Sequence, residues 1–213
     1  MKLVRPAVAV AVGAGLVLSG TAGAVSKPKP VCNQVTDAAG DATGFYVLAS
    51  SPLPSDPNLD ILSGDVAADK KNVTAVIRLG AVGSDSLSPT GDTYYFTFSI
   101  AGTKYYLEAA VEGSSSSYTV GTYDATGLRS GLGAATGAVI ADKKEIHITA
   151  PNSVFGAKSG NVIGDMDVLA QRLMGVPSSA PTPTHPAGTF TADEAVGSAT
   201  TKVGAPSCVV VGK

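Results

Sequence analysis

The stretch Tyr94-Tyr-Phe-Thr-Phe-Ser-Ile-Ala-Gly-Thr-Lys-Tyr-Tyr-Leu-Glu-Ala-Ala-Val111 predicts the fold class of this chain. Apolar and more polar side chains alternate with a period of two on each side of Ala101-Gly102-Thr103. That period is typical of strands with one buried face, and a short glycine-containing interruption is typical of a hairpin turn. The stretch therefore predicts two antiparallel strands joined by a tight turn.

The same alternation extends in both directions from this hairpin. Upstream it covers 72–80. Downstream we expect strands in 118–123, 139–141, 145–150, 161–174 and 208–211, with 127–137 as a loop or a glycine-weakened strand and one helical turn in 151–156. We count about nine short strands at spacings of roughly ten residues, with turn signals between them. The fold class is therefore predicted as all-β, an antiparallel two-sheet sandwich of jelly-roll type.

The first 24 residues have the organisation of a signal peptide. Lys2 and Arg5 precede an apolar run too short to span a bilayer, and Ala22-Gly-Ala24 fits the small-residue cleavage rule. We expect cleavage after Ala24, secretion to the extracellular space and no membrane span in the mature chain. A mobile leader, 25–31, then precedes a single β-sandwich domain, 32–213, which contains a proline-rich loop at 177–186.

The net charge of the mature chain excludes one class of partner. The chain has 15 basic and 17 acidic residues, so removing Lys2 and Arg5 leaves a formal charge of −4. Nucleic acid is therefore not an expected partner, because its binding needs a basic surface.

In an exported protein the two cysteines, Cys32 and Cys208, most simply form a disulfide. It would close a loop of 176 residues, a constraint that stabilises by about 5 kcal/mol in the chain-entropy description.

Acidic residues concentrate near the start of the mature chain. They lie in Asp37-Ala-Ala-Gly-Asp41-Ala-Thr-Gly44 and in Asp56-Pro-Asn-Leu-Asp60-Ile-Leu-Ser-Gly-Asp65. Calcium prefers carboxylate and carbonyl oxygens supplied by loops, so both segments are candidate ligands. The alternative is that these aspartates only form turns, as Asp does without any metal. The residue types alone leave the two interpretations equal, and the spacing excludes an EF-hand.

Catalysis is not expected. The chain has two histidines, and His147 lies between two isoleucines in an expected strand, beside Glu145. No Gly-x-Ser-x-Gly nucleophile elbow is present. An extracellular hydrolase is kept as the least favoured alternative, because triads assemble from distant positions.

The opening motif, the later Asn58-Leu-Asp-Ile-Leu-Ser-Gly-Asp65 and the turn Ala150-Pro-Asn-Ser-Val-Phe-Gly156 resemble the DOMON-like β-sandwich modules. Those modules occur in secreted glucodextranases, pullulanases and subtilisin-type proteases and are similar to family 9 carbohydrate-binding modules. The resemblance runs from Asp37 to about Met174 and departs at Ala38 and Ala42, where Pro and a second Asp are usual. It implies calcium near the opening loop, with Asp37, Asp41 and Asp60 as ligands, and we add Asp65 as a fourth candidate.

Sugar binding is the other implication of the resemblance. Carbohydrate sites commonly stack sugar rings on exposed aromatic side chains, and the chain has no Trp. The candidate stacking residues are Tyr95, Tyr106, Tyr118 and Tyr123. The alternative is that these rings pack the sheets. The sequence thus predicts a secreted, non-catalytic module stabilised by calcium, whose partner is a polysaccharide or a cell-surface protein.

Overall fold

The structure is a computed structural model that describes residues 29–43, 55–82, 91–173 and 189–212. Almost all of its regular secondary structure is β-strand. The expected signal peptide, its cleavage site and the proline-rich loop 177–186 lie outside these residues. The described residues form twelve strands and one helical turn. They are β1 (Val35–Thr36), β2 (Ile61–Ala68), β3 (Asn72–Leu79), β4 (Asp92–Ile100), β5 (Thr103–Glu112), β6 (Ser115–Tyr123), β7 (Arg129–Ala134), β8 (Thr136–Ile140), β9 (Glu145–Pro151), α1 (Asn152–Phe155), β10 (Val162–Leu173), β11 (Thr189–Gly197) and β12 (Thr201–Lys202).

The strands form two antiparallel sheets. The five-stranded sheet has the order β1-β2-β3-β9-β8, and the seven-stranded sheet has the order β11-β10-β4-β5-β6-β7, with β12 paired to β10. The sheets pack face to face around one main core, and the largest fully buried apolar side chains include Phe96, Phe98, Ile77, Leu107 and Ile146. The predicted all-β sandwich is confirmed, with twelve strands where about nine were expected.

The central hairpin forms as its sequence predicts. Ile100 pairs with Thr103, so the turn consists of Ala101 and Gly102. Their φ angles are 51° and 83°, which is the left-handed backbone that two-residue hairpin turns of type I′ require. The register places Tyr94, Phe96 and Phe98 on the core side of β4.

The glycine-rich segment 127–137 is largely strand, which is one of its two expected alternatives. It contains β7 and the start of β8, which belong to different sheets, so the chain crosses between the sheets at Ala135. Two other local expectations need correction. The expected last strand at 208–211 is absent, and this segment instead lies on the outer side of the five-stranded sheet, where Val209 packs against Ala67 and Val76. Strands β11 and β12 were not expected.

The predicted disulfide between Cys32 and Cys208 is present, with Cα atoms 5.5 Å apart. It joins the two ends of the described chain. Within the described residues, no helix has the length and apolar character that crossing a membrane requires.

Candidate functional site

The opening acidic loop is fixed to strand β2 by its backbone. The Asp37 N–H donates to the carbonyl of Leu62 at 3.2 Å, which extends the β1–β2 pairing by one residue. The chain then turns through Gly40, whose φ is 85°. The Gly40 N–H donates to Oδ1 of Asp60 at 2.8 Å. Asp60 is therefore a buried acceptor that holds the turn in place.

A β-bulge in β11 completes the site from the other sheet. The register between β10 and β11 shifts after Ala170, which pairs with Asp193 and leaves Ala192 without a cross-strand partner. The freed carbonyl of Ala192 accepts a hydrogen bond from the Thr43 N–H at 2.8 Å. Bulges commonly redirect the side chains beside them. Here Asp193 shares the core side of its sheet with Ala170 and points toward the edge where β1 ends.

The Asp193 carboxylate links the two sheets. Its Oδ2 accepts the N–H of Ile61 at 2.7 Å, and its Oδ1 accepts the N–H of Glu194 at 2.9 Å. Ile61 is the first residue of β2 and lies beyond the short pairing with β1, so its N–H needs an acceptor from elsewhere. The aspartate thereby has a structural role at the same point where it approaches the opening loop.

Asp37, Asp41 and Asp193 form a carboxylate cluster. Each offers one oxygen atom, and these oxygens lie within 4.8 Å of one another. Burial raises the pKa of Asp193 to about 6, against the hydrogen bond from Ile61, and the negative charges of Asp37 and Asp41 raise it further. In the described part of the chain no ion pair compensates these three side chains. The cluster carries excess negative charge that a cation would neutralise.

The dimensions of this carboxylate cluster would admit a metal ion, and calcium serves as the example. Ligands on opposite sides of a calcium ion are about 4.6–5.2 Å apart, because each Ca–O distance is about 2.3–2.6 Å. The 4.8 Å span lies within that limit. Asp41 is exposed and Asp37 partly buried, which leaves the open side for water or a partner to complete six to eight ligands.

The four candidate ligands from the sequence occupy three different environments. Asp37 and Asp41 belong to the carboxylate cluster, and Asp60 supports it through Gly40. Asp65 lies outside it, because its Oδ2 forms an ion pair with Arg78 Nη1 at 2.7 Å and its Oδ1 accepts the Gln34 N–H at 3.0 Å.

Sequence reasoning missed Asp193, which follows the stretch that carries the family resemblance. Its only sequence signal is the pair Asp193-Glu194 in a segment with few charges. Ala42, where the resembling modules carry an acid, is buried at 2% exposure in the main core. A carboxylate from β11 therefore contributes the third acidic group.

The candidate tyrosines separate into two groups. Tyr106 stacks edge-to-face with Tyr95 at 5.8 Å and with Tyr123 at 5.6 Å, between ring centroids, on the outer side of the seven-stranded sheet. Tyr118 lies elsewhere, packs against the main core, and donates to Ser116 Oγ at 2.9 Å. The structure thus brings three of the four candidates together.

Charged side chains cover the three tyrosines on the outer side of the seven-stranded sheet, Tyr95, Tyr106 and Tyr123, which we call the outer tyrosine group. The Arg129 guanidinium on β7 lies 3.7 Å from the ring centroid of Tyr95 on β4, and Lys104 Nζ lies 5.2 Å from the ring centroid of Tyr123. Tyr95 and Tyr106 are only 7% and 4% exposed, and Tyr123 is the more open ring.

His147 belongs to an ion-pair network on the outer side of the five-stranded sheet. Its Nε2 lies 2.9 Å from Glu145 Oε2, and Glu145 Oε1 lies 3.1 Å from Arg78 Nε. His147 is thus neither fully exposed nor isolated. Its carboxylate partner, Glu145, also binds Arg78. A carboxylate shared in this way also occurs in ion-pair networks that only stabilise a fold.

No family model, curated protein or solved structure matches this chain. The resemblance to DOMON-like modules stays a prediction from the sequence. The carboxylate cluster and the outer tyrosine group are therefore the features that bear on function.

Proposed function

We propose that this protein is an extracellular, non-catalytic β-sandwich binding module whose opening loop is stabilised by calcium. The observation that carries the proposal is the convergence of Asp37, Asp41 and Asp193 within 4.8 Å. Three carboxylates at that spacing repel one another unless a proton or a cation lies between them. The disulfide between exposed cysteines is compatible with an oxidising, extracellular environment.

A bound cation would connect the edges of the two sheets. Asp37 and Asp41 follow β1 of the five-stranded sheet, and Asp193 belongs to β11 of the seven-stranded sheet. The cation would therefore hold the loop 37–43 against β11 and add to the hydrogen bond between Thr43 and Ala192. The loop would then present a fixed backbone surface at this edge of the sandwich.

Thermal melting with calcium and with chelator tests this proposal. Extracellular calcium modules have dissociation constants of about 0.1–1 mM, so about 10 mM calcium would add roughly 1.4–2.7 kcal/mol. For a domain of this size, that free energy raises the Tm by about 3–11 °C. A melt that is identical in calcium and in chelator would remove the proposal.

Two matched variants assign the effect to the carboxylate cluster. Asp41→Asn removes one exposed carboxylate of the cluster, and we expect it to abolish most of the calcium-dependent rise in Tm. Asp142→Asn makes the same charge change in the exposed turn between β8 and β9, and we expect the full rise to remain. Equal calcium responses in both variants would place the cation elsewhere.

Carbohydrate binding on the outer tyrosine group is a second candidate function. The observation that favours it is the grouping of Tyr95, Tyr106 and Tyr123 with charged side chains on the outer side of one sheet. Retention on an insoluble polysaccharide, lost in Tyr123→Ala and kept in Tyr118→Ala, would support this function. A panel of polysaccharides that retains neither the protein nor its variants would favour a cell-surface protein as partner.

A further inference from the structure

Both ends of the described chain lie against the outer side of the five-stranded sheet. The disulfide joins Cys32 to Cys208, and Val31 forms a parallel bridge with Ser207 beside it. We call residues 204–212 the C-terminal strap and residues 31–34 the N-terminal strap. The disulfide is the covalent link between the two straps.

The C-terminal strap is attached by few contacts. The Gly204 N–H donates to the carbonyl of Ala68 at 2.7 Å, and the Gly212 N–H donates to Thr74 Oγ1 at 2.9 Å. Between these two points Val209, 6% exposed, packs on Ala67 and Val76. This small cluster is separate from the main core, so the strap covers apolar surface without taking part in the packing between the sheets.

The N-terminal strap covers the free edge of β2. Beyond the two paired residues of β1, side chains replace the backbone ladder. The Val66 N–H donates to Gln34 Oε1 at 2.8 Å, and the Gln34 N–H donates to Asp65 Oδ1 at 3.0 Å. An uncovered strand edge offers unpaired backbone groups to other chains. This strap therefore protects the edge of the five-stranded sheet.

We propose that the Cys32–Cys208 disulfide is a redox-sensitive clamp that closes both straps, and that its reduction opens them while the sandwich stays folded. Both cysteines are exposed, so a reductant reaches them without unfolding. A dithiol reductant would supply two electrons and two protons. The Sγ–Sγ bond breaks to give two thiols, and the reductant becomes a disulfide. Opening would expose Ala67, Val76 and the edge of β2.

Amide hydrogen exchange on the full folded chain tests the clamp. The oxidised protein is compared with protein reduced by dithiothreitol and alkylated under native conditions. We expect the amides of Gly204, Gly212 and Val66 to exchange at least about tenfold faster after reduction, a change of about 1.4 kcal/mol in local opening free energy. Amides of the central strands β4 and β5 are expected to keep their protection.

A variant without the two cysteines separates the loss of the disulfide from the chemical treatment. Cys32→Ser/Cys208→Ser should show the same fast exchange in the straps and no further response to dithiothreitol, which separates disulfide loss from alkylation. The clamp is overturned if the strap amides keep their protection after reduction. It is also overturned if β4 and β5 lose protection together with the straps, because the disulfide would then hold the whole fold.

Discussion

A buried arginine at one end of the sandwich gives the sharpest prediction of stability. Arg172 on β10 is 2% exposed, and its Nη2 lies 2.8 Å from Asp56 Oδ2. Its Nε lies 3.1 Å from Oδ1 of Asp92, the residue opposite it on β4. Asp56 precedes β2 in the chain, so this cluster connects the seven-stranded sheet to the loop that enters the five-stranded sheet.

Arg172→Met keeps most of the buried volume and removes the positive charge. Asp56 and Asp92, 5% and 4% exposed, would remain as buried like charges. Breaking a buried ion pair in this way costs about 3–5 kcal/mol. At about 2–4 °C per kcal/mol for a domain of this size, the Tm should fall by about 6–20 °C.

Urea unfolding at pH 7 measures this effect. Lys143→Met, in the exposed turn between β8 and β9, removes one positive charge as a control and should change stability by less than about 0.5 kcal/mol. A loss below about 1 kcal/mol for Arg172→Met at pH 7, measured against this control, would refute the reasoning.

Three further predictions concern the site and the sheets. In chelator, Asp193 and Asp167 should make stability decrease as pH rises from about 4 to 6, because burial raises both pKa values to about 6 and the folded state holds protons that the unfolded state has already released; a pH profile of urea midpoints that Asp193→Asn leaves unchanged contradicts the part assigned to Asp193. Gly121→Ala should cost about 1–3 kcal/mol, since the added methyl would overlap the Tyr106 ring and the carbonyl oxygen of Ser130; an unchanged Tm would show that both the ring and the backbone of β7 can shift. Asp65→Asn should lower the Tm through its lost ion pair with Arg78 and leave the calcium-dependent rise intact; loss of that rise would make Asp65 part of the cation site.

The sheets could be predicted because their strands carry a regular period. In β4, Tyr94, Phe96 and Phe98 alternate with more polar side chains, and this alternation predicts which side faces the core. Strand β11 lacks that signal, since its buried core side chains, Ala192 and Ala195, are small and a bulge interrupts the period. The pattern of apolar residues in the sequence therefore does not predict the strand that supplies Asp193.

The site could be predicted only where its residues are close in sequence. Asp37 and Asp41 lie four residues apart, and their grouping follows from one turn. Their third partner is 152 residues beyond Asp41 and reaches them only because the two sheets meet at that edge. The burial of Tyr95 also depends on a long-range contact, because Arg129 of β7 lies over its ring.

The two ends of the described part of the chain lie side by side, so its strands could be connected in a different order. Val31 bridges Ser207, and the neighbouring Cα atoms of Cys32 and Cys208 are 5.5 Å apart. A short glycine linker could replace the disulfide as the connection, and new termini could be opened in the exposed β8–β9 turn at Asp142. Such a circular permutant would keep both sheets, and its β2 edge would be covered without any cysteine.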